Sequence, residues 1–261
     1  MFQQSNNMIR LRQVLRDNKT LKDDIFNEPL EISINKLNSK KILPNLNSVK
    51  FRFTNVSLFS ITPIDQAIYT YYLISCFMKT EDKILTEANG CIGGNTWVFA
   101  SKFKNINVIE LSKLHYEILK HNMEQLGLNN IKYFNNNCID YIFDLKSDVI
   151  FFDPPWGGTG YKGKDKKLGY LYRGFFFTID KIVTDKYFAN NCQLIVLKIP
   201  LKYNMFYIKK NNKFKFYYAF TIRTKKRPIY KLIFLSNNRE IKEVREKYVS
   251  DFYYKEIKFI L

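Results

Sequence analysis

A chain of 261 residues can bury a full core, and it suits one α/β domain with an appendage better than two complete domains of ordinary size. Its 42 Lys and Arg outnumber 24 Asp and Glu, and the formal net charge of +18 would draw it to a polyanion, most simply nucleic acid; the abundance of Lys, Asn, Ile, Tyr and Phe also lets part of that charge be solvated surface bias. Cys76, Cys91, Cys138 and Cys192 include no C-x-x-C pair and the two histidines, His115 and His121, fall on one predicted helix, so neither a disulfide scaffold nor a metal site is expected.

Residues 1–58 read as an N-terminal helical extension or arm: Met8, Leu11 and Leu15 share a helical face, and a polar stretch then leads to Pro44. No signal-peptide pattern opens the chain, and the apolar stretch at residues 67–78 is too short and too polar to span a bilayer; a soluble intracellular monomer with no membrane partner is expected. Val49, Phe51 and Phe53 alternate with Lys50 and Arg52 as in a half-buried strand, and Thr62-Pro63 has the capping chemistry to open a helix through about Met78. Strands are then predicted at 83–88, 107–110, 131–134, 148–152 and 193–199, with helices at 95–104, at 112–126 before Gly127, and at 175–188. Segments 214–221 and 229–235 make an antiparallel hairpin across the basic turn at 224–227, and residues 238–261 form a charged helical tail. The alternation predicts a doubly wound, mostly parallel seven-stranded α/β sheet over residues 59–237, ending in that hairpin.

Within this pattern Asp153-Pro154-Pro155-Trp156-Gly157-Gly158 follows the apolar run Val149 to Phe152, which reads as a buried strand. Two prolines stop the strand and fix the backbone, so the Asp153 carboxylate and the Pro154 carbonyl can converge beyond its carboxyl end, where open α/β sheets bind ligands. A purine's exocyclic amine is a poor nucleophile because its lone pair is delocalised into the ring. Two rigid acceptors for its N–H groups, beside the flat face of Trp156, meet that difficulty. The same residues would also serve a plain strand-ending turn with a core tryptophan.

The first strand of the regular series runs into Glu87-Ala88-Asn89-Gly90-Cys91-Ile92-Gly93-Gly94-Asn95, where glycines would let backbone approach a ligand. Glu110 lies twenty-three residues past Glu87, a distance at which a carboxylate reaches ribose hydroxyls. The loop has neither the G-x-G-x-x-G order nor a P-loop, so a nucleoside without phosphates fits better than NAD or ATP. Glu87 would face its cationic end, Glu110 the ribose, and the turn at Asn137-Cys138 the adenine edge.

Phe59-Ser60-Ile61-Thr62-Pro63, Gly93-Gly94-Asn95-Thr96 and Asp153 to Gly158 together resemble the F-S-V-T-P, G-G-N-T and D/S-P-P-W-G-G segments of the trimethylguanosine synthase family, the RNA cap guanine-N2 methyltransferases; a terminal antiparallel hairpin is likewise a mark of methyltransferases that use S-adenosylmethionine. The resemblance implies methyl transfer from S-adenosylmethionine to N2 of a 7-methylguanosine RNA cap. Carried across, it assigns Thr62, Glu87, Asn89, Cys91, Gly93, Asn95, Glu110, Leu111, Asn137, Cys138 and Asp153 to the cofactor, and Ser60, Pro155 and Trp156 to the base. It makes Asp153, Pro154 and Trp156 the catalytic group, with Lys198, Lys202 and Asn204 as candidates for the cap triphosphate. A cationic 7-methylguanine would be held on Trp156 by cation–π attraction, and the segments before Phe59 would help close the cap pocket. Departures from the family pattern are Glu87 and Glu110 for aspartates, Asn137 for an adenine-contacting aspartate, and the order Gly90-Cys91 where the family has Cys-Gly. Guanine-N2 methylation of internal rRNA or tRNA sites, and an inactive RNA-binding subunit with this fold, remain alternatives at this point.

Overall fold

The structure, a computed structural model, describes residues 30–31, 51–54, 56–156, 167–223 and 227–238, with Leu30, Glu31, Leu58 and Phe59 described by backbone alone. The patterns noted at Met8 to Leu15, Val49, Gly157-Gly158, residues 224–226 and the charged tail beyond residue 238 lie outside those residues.

In chain order the strands are β1 (Leu30–Glu31), β2 (Arg52–Phe53), β3 (Ile84–Glu87), β4 (Asn105–Ile109), β5 (Ile131–Phe134), β6 (Val149–Phe152), β7 (Gly169–Tyr172), β8 (Phe175–Thr178), β9 (Leu194–Pro200), β10 (Phe216–Arg223) and β11 (Pro228–Ser236). Seven of them form one sheet in the order β10-β11-β9-β6-β3-β4-β5, parallel from β9 to β5, with β11 antiparallel to both of its neighbours. The expected fold class stands. From β3 the chain builds outward through β4 and β5, then returns to lay β6 on the other side of β3. β3 and β6 therefore flank the point where strand order reverses, and a crevice opens outside their carboxyl ends.

Both faces of the sheet are covered, which is why the central strands read as unbroken apolar runs. Val149 and Phe151 of β6 and Val196 of β9 point into one core, with Leu85, Phe99 and Phe234. Ile150 and Phe152, Ile195 and Leu197 point into the other, with Ile179, Phe188 and Tyr203. Each fully buried Phe contributes about 1.5–3 kcal/mol, so the strand that presents Asp153 is among the most firmly held. Phe51 and Phe53 are buried in the first core, so packing of the domain begins before residue 59. β2 is tied to the helix Lys113–Glu124 by Asn122, whose Oδ1 accepts from Arg52 N (2.8 Å) and whose Nδ2 donates to Arg52 O and Ile92 O (3.1 Å each).

The expected helix at 175–188 is corrected by the structure. Residues 175–178 are β8, paired antiparallel with β7 across Arg173-Gly174, and only then come the short helices Ile179–Val183 and Lys186–Asn191. Arg173 (φ 48°) and Gly174 (φ 83°) both have positive φ, the conformation of a two-residue hairpin turn whose twist matches its strands. Phe175, Phe176, Phe177 and Thr178 then have aromatic and β-branched strand chemistry. Asp185 restarts the helix by accepting from Tyr187 N at 2.8 Å. A helix at Phe206–Asn211 was not anticipated, and the helix expected at 95–104 spans Thr96–Ala100. Among the described residues no helix is long and apolar enough to cross a membrane.

Candidate active site

Asp153 leaves β6 at the switch point, and its Oδ2 accepts a hydrogen bond from Lys198 Nζ at 2.7 Å. Lys198 sits on the neighbouring strand β9, is only 7% exposed, and also donates to Thr62 Oγ1 at 2.8 Å. Its ammonium lies 5.0 Å from the ring centre of Tyr230 and 5.7 Å from that of Trp156. Burial pushes the Asp153 carboxyl up and Lys198 opposes that shift. A pair this well hydrogen-bonded offsets part of its desolvation cost, and removing either partner would strand a buried charge. Pro154 is buried and Pro155 exposed, as a rigid exit from the sheet requires. Trp156 is half-buried between the two cores, tilted 62° against Tyr230, and its Nε1 is buried without a hydrogen-bond partner.

At the end of β3, Glu87 is fully buried and its Oε2 accepts from Thr96 Oγ1 at 2.6 Å. Burial pushes its carboxyl up to about 8; the Thr96 hydrogen bond acts against this, and the Asp153 charge adds to it. Glu87 Oε1 and the neighbouring Asn95 Oδ1 are buried acceptors with no hydrogen-bond partner. The Asn95 side chain also favours the ionised Glu87, and the two unpaired oxygens lie together where β3 meets the following helix, so a donor placed between them would be welcome.

The loop that follows serves the protein's own packing more directly than expected. A Cβ on Gly90 would lie 2.5 Å from Val108 Cγ2, one on Gly93 2.5 Å from Met123 Cε, and one on Gly94 2.7 Å from Thr62 O. The missing side chains let the loop press on β4, on the helix Lys113–Glu124 and on the Thr62 segment, so packing within the protein is a further reason for the glycines. Cys91 takes a positive φ (48°), the conformation glycine adopts without strain, at the position where the family pattern has glycine. Its Sγ lies 3.4 Å from Ser60 Oγ, and burial pushes the thiol up to about 12. Ser60 itself is exposed at the end of the helix Ser57–Ser60.

Glu110 follows β4 and accepts from Cys91 N through Oε2 and from Ser112 N through Oε1, both at 2.8 Å. It ties the loop after β3 to the loop after β4, and burial pushes its carboxyl up. Leu111 beside it is 65% exposed. Beyond β5, Asn137 caps a short turn by accepting from Ile139 N at 3.1 Å and donates to Leu171 O at 2.9 Å, so its side chain is committed to structure. Buried Cys138 lies near Tyr170, whose hydroxyl donates to Asn89 Oδ1 at 2.7 Å.

The structure thus gathers Thr62, Glu87, Asn95, Asp153, Trp156 and Lys198 around the β3–β6 crevice, with Asn89, Cys91, Glu110 and the Asn137-Cys138 turn beside it. It sets apart Lys202 and Asn204, both exposed in the loop after β9, where Asn204 Oδ1 accepts from Phe206 N at 3.0 Å. Lys198, expected at a triphosphate, is engaged inside the fold. A lysine within the otherwise apolar strand Leu194–Pro200 was the available signal, because such a side chain needs a buried partner.

Residues 82–207 match the family model described as RNA cap guanine-N2 methyltransferase. Protein L320 of Acanthamoeba polyphaga mimivirus is 32% identical over 128 residues, 48% of this chain and 48% of that protein. The trimethylguanosine synthase of Schizosaccharomyces pombe is 30% identical over 115 residues, 41% of this chain and 47% of that protein. The chain spans about half the length of these curated relatives. Among solved structures, a Porphyromonas gingivalis W83 protein designated a methyltransferase aligns with a TM-score of 0.54 at 13% identity, over 72% of this chain and 43% of that one, a likeness of fold. Family match and strand order coincide on the segments that carry Glu87, Glu110 and Asp153, and over residues 82–207 the chain is similar to the RNA cap guanine-N2 methyltransferase family.

Proposed function

We propose that this protein transfers a methyl group from S-adenosylmethionine to the exocyclic N2 of a 7-methylguanosine RNA cap. The observation that carries the reading is Asp153 at the carboxyl end of β6, bonded to buried Lys198 and followed by Pro154, Pro155 and the half-buried Trp156. The residues present fit the cofactor: Glu87 Oε1 and Asn95 Oδ1 are unpaired buried acceptors suited to its ammonium donors. Glu110 spends one lone pair of each oxygen on a backbone N–H, and a carboxylate's other lone pairs can accept ribose hydroxyls. When bound, the cofactor supplies a methyl already activated on a sulfonium.

The chain's own work is positioning. Lys198 holds Oδ2 and favours the ionised Asp153, leaving Oδ1 to accept from one N2–H while the Pro154 carbonyl accepts from the other. These two acceptors would turn the amine lone pair toward the methyl carbon and take up the positive charge that develops on N2. Trp156 would stack on the base, and its attraction for a cationic 7-methylguanine, about 0.5–2 kcal/mol beyond that for a neutral base, sets the preference for a capped end. Lys202 is left as a cation for the triphosphate.

Of the two tryptophans, Trp97 is buried in the core, so quenching of fluorescence by a 7-methylguanosine cap dinucleotide reports on Trp156. Quenching is expected with the 7-methylated cap, weaker quenching with the unmethylated cap, and none in Trp156→Ala. Equal quenching by both caps, or quenching that survives the substitution, would contradict the role given to Trp156.

A further inference from the structure

β7 and β8 stand apart from the main sheet, and their hairpin leaves apolar side chains in water: Leu171 is 68% exposed, Phe175 72%, Phe176 54% and Phe177 40%. Burying a Phe contributes about 1.5–3 kcal/mol, so three in a row left outside need a reason other than the hairpin's own stability. The root of the hairpin is fixed to the rim of the site. Tyr170 bonds Asn89 beyond β3, Asn137 bonds Leu171 O, and Tyr172 donates to Asp140 Oδ1 at 2.5 Å. The helix Ile179–Val183 packs against the hairpin and against the helix Phe206–Asn211, where Phe206 is also exposed and Lys210 Nζ lies 5.9 Å from its ring centre. Arg173 at the hairpin tip lies 5.0 Å from the ring centre of Tyr172. Among the described residues, two carboxylates beside the hairpin are taken: Asp180 is buried against Lys167 and Tyr203, and Asp140 holds Tyr172.

We infer that the β7–β8 hairpin and the adjoining helix Phe206–Asn211 form a stacking surface for a single-stranded RNA segment leading away from the candidate site. This deepens the proposed function and rests on its reading of the site as acting on RNA. Exposed rings interleaved with cations are what an unpaired polynucleotide requires: each base brings a π face, worth about 1–3 kcal/mol against an aromatic side chain, and each phosphate a charge to neutralise. Phe175 and Phe176 point to opposite faces of the hairpin, as neighbours on a strand must, so bases can be gripped from either side of its tip. A net charge of +18 favours a polyanion over a neutral apolar partner.

The test is fluorescence anisotropy of an uncapped, 5′-labelled single-stranded RNA of about twenty nucleotides with the full chain. Losing two stacked bases in Phe175→Ala/Phe176→Ala should weaken binding by about tenfold or more. Phe175→Tyr/Phe176→Tyr should bind within about twofold of the parent, because the π faces remain. S-adenosylmethionine affinity and turnover of a cap dinucleotide should not change in either variant, whereas KM for a capped oligonucleotide should rise in the alanine pair. Unchanged RNA binding in the alanine pair overturns the inference. So does equal binding of duplex RNA, or a substitution that instead abolishes sedimentation with anionic vesicles or self-association. If the parent fails to methylate any cap, the proposed function falls while the anisotropy result still decides the surface.

Discussion

Ionisation of Glu87 makes cofactor affinity depend on pH in a calculable way. Burial holds this carboxyl protonated up to about pH 8, and its Oε1 is the unpaired acceptor assigned to the cationic methionine end. If the bound state requires the carboxylate, affinity follows its ionised fraction, about one-half at pH 8, about one-tenth at pH 7 and about one-hundredth at pH 6. Kd for S-adenosylmethionine should therefore tighten about tenfold from pH 6 to 7, which is about 1.4 kcal/mol, and level off above pH 8. Isothermal titration at neutral pH in two buffers of different ionisation enthalpy should show close to one proton released per molecule bound. Glu87→Gln should bind weakly at every pH and release none. The free protein gives an independent reading: a carboxyl raised from 4.5 to about 8 contributes stability that is fully present below pH 4.5 and lost as pH rises through 8. The Tm of Glu87→Gln should accordingly gain on the parent across that window. A Kd for the parent that is flat from pH 6 to 8 would refute the reasoning.

Lys198→Met removes the partner of the partly buried Asp153 and should cost on the order of 3 kcal/mol in denaturant unfolding, with methyl transfer lost. Adding Asp153→Asn should recover much of the stability and none of the activity; recovery of both would mean that the pair is structural only. Gly94→Ala places a Cβ 2.7 Å from Thr62 O and 3.0 Å from Thr62 N, so the Thr62 segment must move. The same titration should find cofactor binding weakened severalfold, and unchanged affinity would show that this contact does not shape the site.

The sheet was legible because its strands alternate with helices at ordinary spacing and because burial on both faces gives runs such as Val149 to Phe152 a single reading. The end of β6 was legible too, since Asp153-Pro154-Pro155-Trp156 carries its backbone consequence in its residue types. The β7–β8 hairpin was not: Phe175 to Phe188 has apolar residues at spacings that fit a helix, and the strand signal lay in Arg173-Gly174, a weaker turn cue than Asn-Gly. Nor could Lys198 be placed, because a lysine in a chain with 42 Lys and Arg carries little information until β9 is seen beside β6. The loop glycines were noticed for their freedom, but three-dimensional neighbours from β4, Met123 and Thr62 decide why they are small.

The most direct test of the cap reading is methyl transfer from labelled S-adenosylmethionine to a 7-methylguanosine cap dinucleotide, beside an unmethylated guanosine cap and uncapped RNA. Label on N2 of the 7-methylated cap alone is the expected result, and it should vanish with Trp156→Ala. Label on uncapped RNA alone, or on no substrate, would contradict cap methylation and leave an internal-site enzyme or an RNA-binding protein in its place.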